Sequence, residues 1–433
     1  MGVARTATPE EAATLVRPRD TLGIPLGPGQ PSSFLHALGA RDDWEQLEIF
    51  GALLLDLYAL FTKPGVRYLT GFFGPAERVL LDSGGHIEFV PADFRRFVTI
   101  AEQFAPRVVA TAATPPDADG YLSLSLHAGA TVRELHRAGA DPSRQLVVEA
   151  NPHLPRTIGI PPEHPHRLHV DEIDVIVPGD TPPFVLEDPP ATDVERAIAG
   201  YAAGYVRDGC TLQTGIGAVP STVVSILAEG DGGDYGVHSE MFTTGLMQLH
   251  EAGKVSNRRK GVFDGFSVCT FALGSAALYA WLDDNTDVRF IPVDVVNAPH
   301  TVSRNREVVS INGALAVDLH GQLVADRIHG RQYSGIGGHE DFVAVSGLSL
   351  EDRSLVCLPA TATRDGVSVS RIVADLPDGA TVTTPRHQID VVVTEHGVAE
   401  LRGRTVRERA EALASIAAPE FRDELRAAAG LLA

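Results

Sequence analysis

Lysine is nearly absent from this chain: only Lys63, Lys254 and Lys260 occur among its 36 basic residues. The other cations are arginines, whose planar fork grips carboxylates and phosphates in a fixed geometry. Cysteine is equally scarce. Cys210, Cys269 and Cys357 lie far apart in apolar surroundings and no CxxC occurs, which argues against a disulfide framework or a structural zinc site and fits a reducing compartment. No stretch approaches the ~18 apolar residues of a membrane span; the densest, residues 51–61, is broken by Asp56. The opening MGVARTATPEE has no apolar signal core. Its Met1-Gly2 and Thr6 match an acylation pattern formally, but so short a pattern recurs by chance. Positive charge is also short, with 36 Lys+Arg against 56 Asp+Glu and a net charge of −20. A nucleic-acid binder needs a basic face to displace counterions, so that class is disfavoured. The expectation is a soluble cytoplasmic protein with neither a membrane nor a nucleic acid as partner.

What is present is an ordinary globular composition, 44% hydrophobic and 21% charged over 433 residues. That length suits two large domains. The clearest seam is residues 178–190, where prolines and acids replace periodic hydrophobics. After it, Thr192 and Glu195 have the spacing of a capping box. Val194, Ile198, Tyr201 and Tyr205 follow at helical spacing, with Gly209 as a stop. The boundary is therefore placed between 1–187 and 188–433. Both halves alternate β-branched runs with Ala- and Leu-rich stretches, which predicts α/β domains with mainly parallel sheets flanked by helices. Buried strands are expected at residues 145–149, 173–177, 235–239, 288–295 and 389–394. The runs at 173–177 and 389–393 are near copies half a chain apart, as two versions of one domain would be. Residues 311–330 read as a β-hairpin turning at His320-Gly321. Thr405 with Glu408 caps one C-terminal helix, and Pro419 starts another.

Four stretches carry residues suited to chemistry. In the first, Leu212 to Pro220, a short strand enters Gly215-Ile216-Gly217, and Pro220 falls in the first turn of a helix. Such a turn exposes N–H groups that favour an anion or a developing oxyanion; the plainer reading is a tight βα turn. The third glycine of a dinucleotide fingerprint is missing. In the second, Gly236 to Phe242, a strand ending at Glu240 puts a carboxylate at the C-terminal edge of a parallel sheet, where open α/β sheets bind ligands. Such an acid serves as base, metal ligand or nucleophile, or is simply solvated. His238 and Glu240 share a strand face, but the P-C-x-x-C that zinc deaminases require is absent, so no metal is expected. The third, Tyr333 to Phe342, holds Gly335, Gly337 and Gly338, a costly concentration of glycine unless the backbone must approach something closely. In the fourth a strand runs through Val295 into Asn297-Ala298-Pro299, which would again put Asn297 at the C-terminal edge of the sheet; alone it reads as a turn.

As a set these stretches are more specific. LQTGIGAVPSTVVSIL, GVHSEMFTTGLMQLHEAGKV, TFALGSAALYAWLDDN, SINGALAVDL, YSGIGGHEDF and VVTEHGVAELRGRTVRERAEAL follow in order, preceded by DGYLSLSLHAG and ANPHLPRT. The chain resembles the acetyl-CoA hydrolase/transferase family, in particular its 4-hydroxybutyrate CoA-transferase type, over essentially its whole length. The resemblance implies two tandem CoA-transferase-type α/β domains with an active site between them and the catalytic glutamate in the second. It implies Glu240 of the H-S-E-M motif as nucleophile and Asn297 as an amide contacting the acyl group. It further implies that oxyanion and CoA contacts come from Gly215, Ile216, Gly217, Ala218, Val219 and Pro220 and from Gly337 and Gly338, with Ala314 lining the CoA channel. Coenzyme A would be a substrate, with no tightly bound cofactor, and a homodimer is the default assembly.

Three departures from the family pattern stand out. His339 replaces a usual Gln, Glu351-Asp352-Arg353 replaces Gly-Gly-Lys, and Thr244 replaces a frequent Asp. Arg258, Arg259, Lys260 and Arg353 are the candidate cations for the CoA phosphates. The reaction implied is CoA transfer between a short-chain acyl-CoA and a small carboxylate such as 4-hydroxybutyrate, butyrate, propionate or succinate. The rival readings are an acyl-CoA hydrolase using the same glutamate, a non-catalytic CoA binder and a nicotinamide-dependent oxidoreductase. Glu240 argues against the binder, and the missing third glycine against the last.

Overall fold

The computed structural model describes residues 4–187, 189–328, 330–345, 348–377 and 379–431. The acylation-like Met1-Gly2 pattern, residue 188 of the seam and residue 329 of the hairpin lie outside them. The chain divides into two compact units. The first takes the described part of Met1–Leu186 together with Glu240–Phe242 and Val268–Val296; the second takes Glu187–Ser239, Thr243–Ser267 and the described part of Asn297–Ala433.

The first unit is built on eight strands: β1 (Arg5–Thr6), β2 (Arg19–Gly23), β3 (Gln46–Gly51), β4 (Val66–Thr70), β5 (His86–Phe89), β6 (Val108–Ala113), β7 (Gln145–Ala150) and β8 (Val175–Pro178). They lie in the order β1-β8-β7-β6-β2-β3-β4-β5, and every pairing is parallel. Strand alternation explains the layers. Val108, Ala110 and Val147 join a cluster with Phe34, Leu35 and Leu38 of the helix Ser32–Gly39. Their neighbours Val109, Leu146 and Val148 join another with Val132, Leu135 and Ala138 of the helix Val132–Ala140. A sheet covered on both faces reads as a continuous apolar run, and these strands do.

The second unit holds β9 (Thr211–Thr214), β10 (Gly236–Val237), β11 (Val308–Gly313), β12 (Arg353–Cys357), β13 (Val391–Thr394) and β14 (Gly397–Glu400). Their order is β10-β9-β11-β12-β13-β14. All pairings are parallel except the terminal hairpin β13–β14. Four helices matter below: α1 (Asp193–Ala203), α2 (Ala218–Glu229), α3 (His339–Val343) and α4 (Val406–Ser415). Both expected capping boxes form: Thr192 Oγ1 accepts from Glu195 N at 3.2 Å and Thr405 Oγ1 from Glu408 N at 3.3 Å. Helix α1 stops at Gly204, ahead of the expected Gly209.

Two further expectations are corrected. Residues 288–295 are not one strand: Val288–Phe290 is extended, and Val293–Val296 is a helical turn. Pro292 lacks an N–H for a ladder, and its carbonyl accepts from Val295 and Val296 instead. The hairpin is smaller than 311–330. β11 belongs to the main sheet; the turn at Gly321 joins Ala316–Asp318 to Leu323–Val324, and Arg327–Ile328 pairs antiparallel with Arg331–Gln332 instead. Gly321 takes the left-handed conformation of that turn at φ +90°.

Candidate active site

Glu240, expected in the second domain, groups with the first unit. The reason is local pairing. Met241 and Phe242 run parallel to Phe271 and Ala272, and Met241, Phe271 and Leu273 are buried with Leu26, Phe50 and Phe97. The Glu240 carbonyl accepts the N–H groups of Thr270 at 2.9 Å and Phe271 at 3.3 Å. Its residue is half-buried. The backbone of this carboxylate is thus held by main-chain bonds of its own unit.

The partner segment is itself anchored by the DGYLSLSLHAG stretch. Thr270 O accepts from Ala128 N at 2.7 Å and Gly129 N at 3.1 Å, and Ala272 N donates to Leu126 O at 2.8 Å. Behind this loop, Ser123 Oγ donates to Thr157 O, Ser125 Oγ to Pro155 O, and Thr157 Oγ1 to Ser125 O, all within 2.7 Å. His166 Nε2 adds contacts to Ser125 O at 2.9 Å and Thr157 Oγ1 at 3.0 Å. The DGYLSLSLHAG and ANPHLPRT motifs are therefore two sides of one buried polar network. Burial pulls His127 down to about 3 and His166 to about 4, so both rings are neutral near pH 7.

The glycine-rich turn behaves as its spacing predicts. β9 ends at Thr214 and α2 begins at Ala218 with Gly217 as its cap, at φ +116°. A Cβ placed on Gly215 or Gly217 would meet no atom within 4 Å, so space lies beside this backbone. The first turn leaves the N–H groups of Ala218 and Val219 without intrahelical acceptors, a ready anion site. Ala314 follows β11, the neighbour of β9, so both stretches leave the same sheet edge. Across that edge the amides of Gln213 and Asn312 bond reciprocally. Gly338 caps α3, and Gly337 is left-handed at φ +58°. The neighbouring His339 is pulled down to about 4 by burial, so it is neutral at physiological pH.

Asn297 was expected at a strand edge. It instead follows the helical turn Val293–Val296 and is fully buried, its Nδ2 donating to Asp341 Oδ2 at 3.0 Å. Two of the expected phosphate cations are internal. Lys260 is fully buried, and its Nζ donates to Val237 O at 2.8 Å and Phe266 O at 2.7 Å. Arg353 pairs with Asp390 at 2.8 Å and Glu400 at 2.9 Å and stacks on Tyr205. Asp352 Oδ1 accepts from Val308 N at 3.0 Å, so much of the Glu-Asp-Arg departure is sheet architecture. Arg258 is exposed, and Arg259 is 52% exposed beside Asp234. His238 is buried and bonded to Asn305 at 3.1 Å; among the described residues no group of three or more His, Cys, Asp or Glu is placed to hold a metal. Sequence reasoning quoted the motifs that contain Thr270, Gln213 and Asn312 but missed these residues as supports, because their partners lie 30 or more positions away. The rarity of lysine was a usable signal for Lys260.

Comparison with known proteins agrees with this architecture. Residues 274–429 match the family model of the acetyl-CoA hydrolase/transferase C-terminal domain. A succinyl-CoA:cyclohexane-1-carboxylate CoA transferase of Geobacter metallireducens is 38% identical, covering 98% of this chain and 95% of that protein. A 4-hydroxybutyrate coenzyme A transferase of Clostridium kluyveri is 35% identical, covering 97% and 96%. The crystal structure of RipA from Yersinia pestis superposes with a TM-score of 0.89 at 32% identity, covering 98% of this chain and 97% of that one. Two fungal acetyl-CoA hydrolases match at 25% identity over at most 71% of the chain. The fold is that of a CoA-transferase. The chain belongs to the acetyl-CoA hydrolase/transferase family.

Proposed function

We propose that this protein moves CoA between a short-chain acyl-CoA and a small carboxylate, with Glu240 as the covalent carrier. The observation that supports it most directly is a half-buried carboxylate in H-S-E-M whose main chain is pinned by Thr270 and Phe271. The relatives named for succinyl-CoA, cyclohexane carboxylate and 4-hydroxybutyrate support acids of this kind as substrates.

The steps balance without a further reactant. The Glu240 carboxylate attacks the thioester carbonyl, giving an acyl-glutamyl anhydride and CoA thiolate. The thiolate attacks the glutamyl carbonyl, releasing the first acid and leaving a glutamyl-CoA thioester. A second carboxylate attacks that thioester to give a new anhydride and thiolate. Attack of the thiolate on the new acyl carbonyl forms the product and restores Glu240. Each step passes through a tetrahedral oxyanion, for which one N–H donor is worth ~2.7–4 kcal/mol. The N–H groups along Gly215–Val219 and at Gly337–Gly338 are assigned to CoA contacts and oxyanion stabilisation, with Ala314 beside the CoA path. Asn297 is assigned a bracing role through Asp341 on α3. Arg258 and Arg259 remain the candidate phosphate cations.

Hydrolysis by the same glutamate is the second reading, supported by the family model's name and by the two acetyl-CoA hydrolases that match at 25% identity. Mass spectrometry of CoA species separates the two. The protein is mixed with acetyl-CoA and a pool of propionate, butyrate, succinate and 4-hydroxybutyrate. New acyl-CoAs are the expected result; free CoA with no new thioester would establish the hydrolase instead.

A further inference from the structure

We infer that Thr270 is a positioning residue for the nucleophile, holding the Glu240 main chain at the register the first covalent step needs; this rests on the reading of Glu240 as carrier. Thr270 is fully buried. Its N–H donates to the Glu240 carbonyl at 2.9 Å, beside the weaker bond from Phe271 at 3.3 Å. Its own carbonyl receives Ala128 N at 2.7 Å and Gly129 N at 3.1 Å, and its Oγ1 receives the same Gly129 N–H at 3.0 Å. One residue thus links the Leu126–Gly129 loop to the glutamate by bonds on both sides of its backbone and from its side chain.

The loop it grips is stiff. Gly129 takes φ +55°, and a Cβ there would lie 3.0 Å from Leu26 Cδ2. Gly29 packs so closely on the His127 ring that a Cβ on it would overlap the ring at 2.3 Å. Ser125, also left-handed at φ +57°, is tied to Pro155 through its hydroxyl. Pairing of Met241 with Phe271 and Phe242 with Ala272 begins immediately after this anchor, so a shift at Thr270 moves Glu240 first. Covalent catalysis is sensitive to such displacement, because a misplacement of about 1 Å costs on the order of a hundredfold in rate. The hydroxyl at position 270 fixes the loop from a fully buried position.

The test is single-turnover formation of the CoA adduct in Thr270→Val, Thr270→Ser and Gly129→Ala. The Thr270→Val variant keeps the side-chain volume and removes the acceptor. Its adduct rate at saturating acyl-CoA is expected to fall on the order of tenfold or more. The half-saturating acyl-CoA concentration should stay within about twofold and Tm within about 4 °C. Thr270→Ser should recover most of the rate, and Gly129→Ala should reproduce the loss. A wild-type adduct rate in Thr270→Val, or a loss that serine does not rescue, overturns the inference. Peptide mapping of the wild-type adduct tests the underlying reading separately: an adduct on any residue other than Glu240 overturns both, whatever the variants do.

Discussion

Gln213 and Asn312 exchange two amide hydrogen bonds, Nε2 to Oδ1 at 3.4 Å and Nδ2 to Oε1 at 3.1 Å, across the parallel strands β9 and β11. Gln213 stands two residues before Gly215 and Asn312 two before Ala314, so the pair sets the spacing of two stretches assigned to CoA. Gln213→Leu strands the Asn312 amide against an apolar neighbour. Because Asn312 is only half-buried, the substitution should cost about 0.5–1.5 kcal/mol of stability and raise KM for acyl-CoA, read by denaturant unfolding and steady-state kinetics.

Glu240→Gln keeps the shape of the side chain and removes its nucleophilic oxygen. Turnover should fall on the order of a thousandfold or more, while the CoA affinity, measured by calorimetry, stays within a few fold. In the native protein, incubation with acyl-CoA alone should leave CoA on Glu240, removable by hydroxylamine. Undiminished turnover in Glu240→Gln would end the mechanism.

Lys260 bonds two carbonyls from a fully buried position. Lys260→Met leaves the Val237 and Phe266 carbonyls without that donor and should destabilise the protein by about 3 kcal/mol. The Kd for CoA should be unchanged, because this cation does not reach solvent. A large loss of CoA affinity with intact stability would restore it as a phosphate ligand.

His166 makes acid sensitivity predictable in sign. Burial lowers its pKa to about 4 from the ordinary 6.5, so the folded state resists protonation while the unfolded chain does not. Its contribution is whole above pH 6.5 and is lost as pH falls through 6.5 toward 4. Lowering pH from 7.5 to 5.5 should cost on the order of 1 kcal/mol through this ring. His166→Gln should show a pH dependence shallower by that amount in urea unfolding, besides being less stable at pH 7.5.

Arg353, Asp390, Glu400 and Tyr205 close the β12–β14 side of the second sheet, and Arg402 adds a contact to Asp390 at 3.4 Å. Asp390 is buried, so Arg353→Met leaves an underpaired interior carboxylate. The expected cost is about 3–5 kcal/mol, measured by thermal or denaturant unfolding.

Much of this molecule is written locally. The capping boxes at Thr192 and Thr405, the turn Thr214–Ala218, the apolar runs of β7 and β13 and the H-S-E-M stretch all depend on residues within a few positions of one another. Backbone preference and side-chain periodicity are enough to read them. The family was legible on different grounds: the resemblance of the motifs LQTGIGAVPSTVVSIL, GVHSEMFTTGLMQLHEAGKV and YSGIGGHEDF, in that order, to a known family.

What only the tertiary structure decided are relations between distant segments. Glu240 belongs to the first unit because Phe271 and Ala272 pair with the residues after it. Asn297 is interior because Asp341, 44 positions on, accepts its amide. Lys260 and Arg353 are structural because carbonyls and carboxylates from other strands surround them. A hydrogen bond or ion pair needs its partner within about 3–4 Å, and that proximity is made by packing whole sheets and loops, which leaves no mark on either residue's neighbours in sequence.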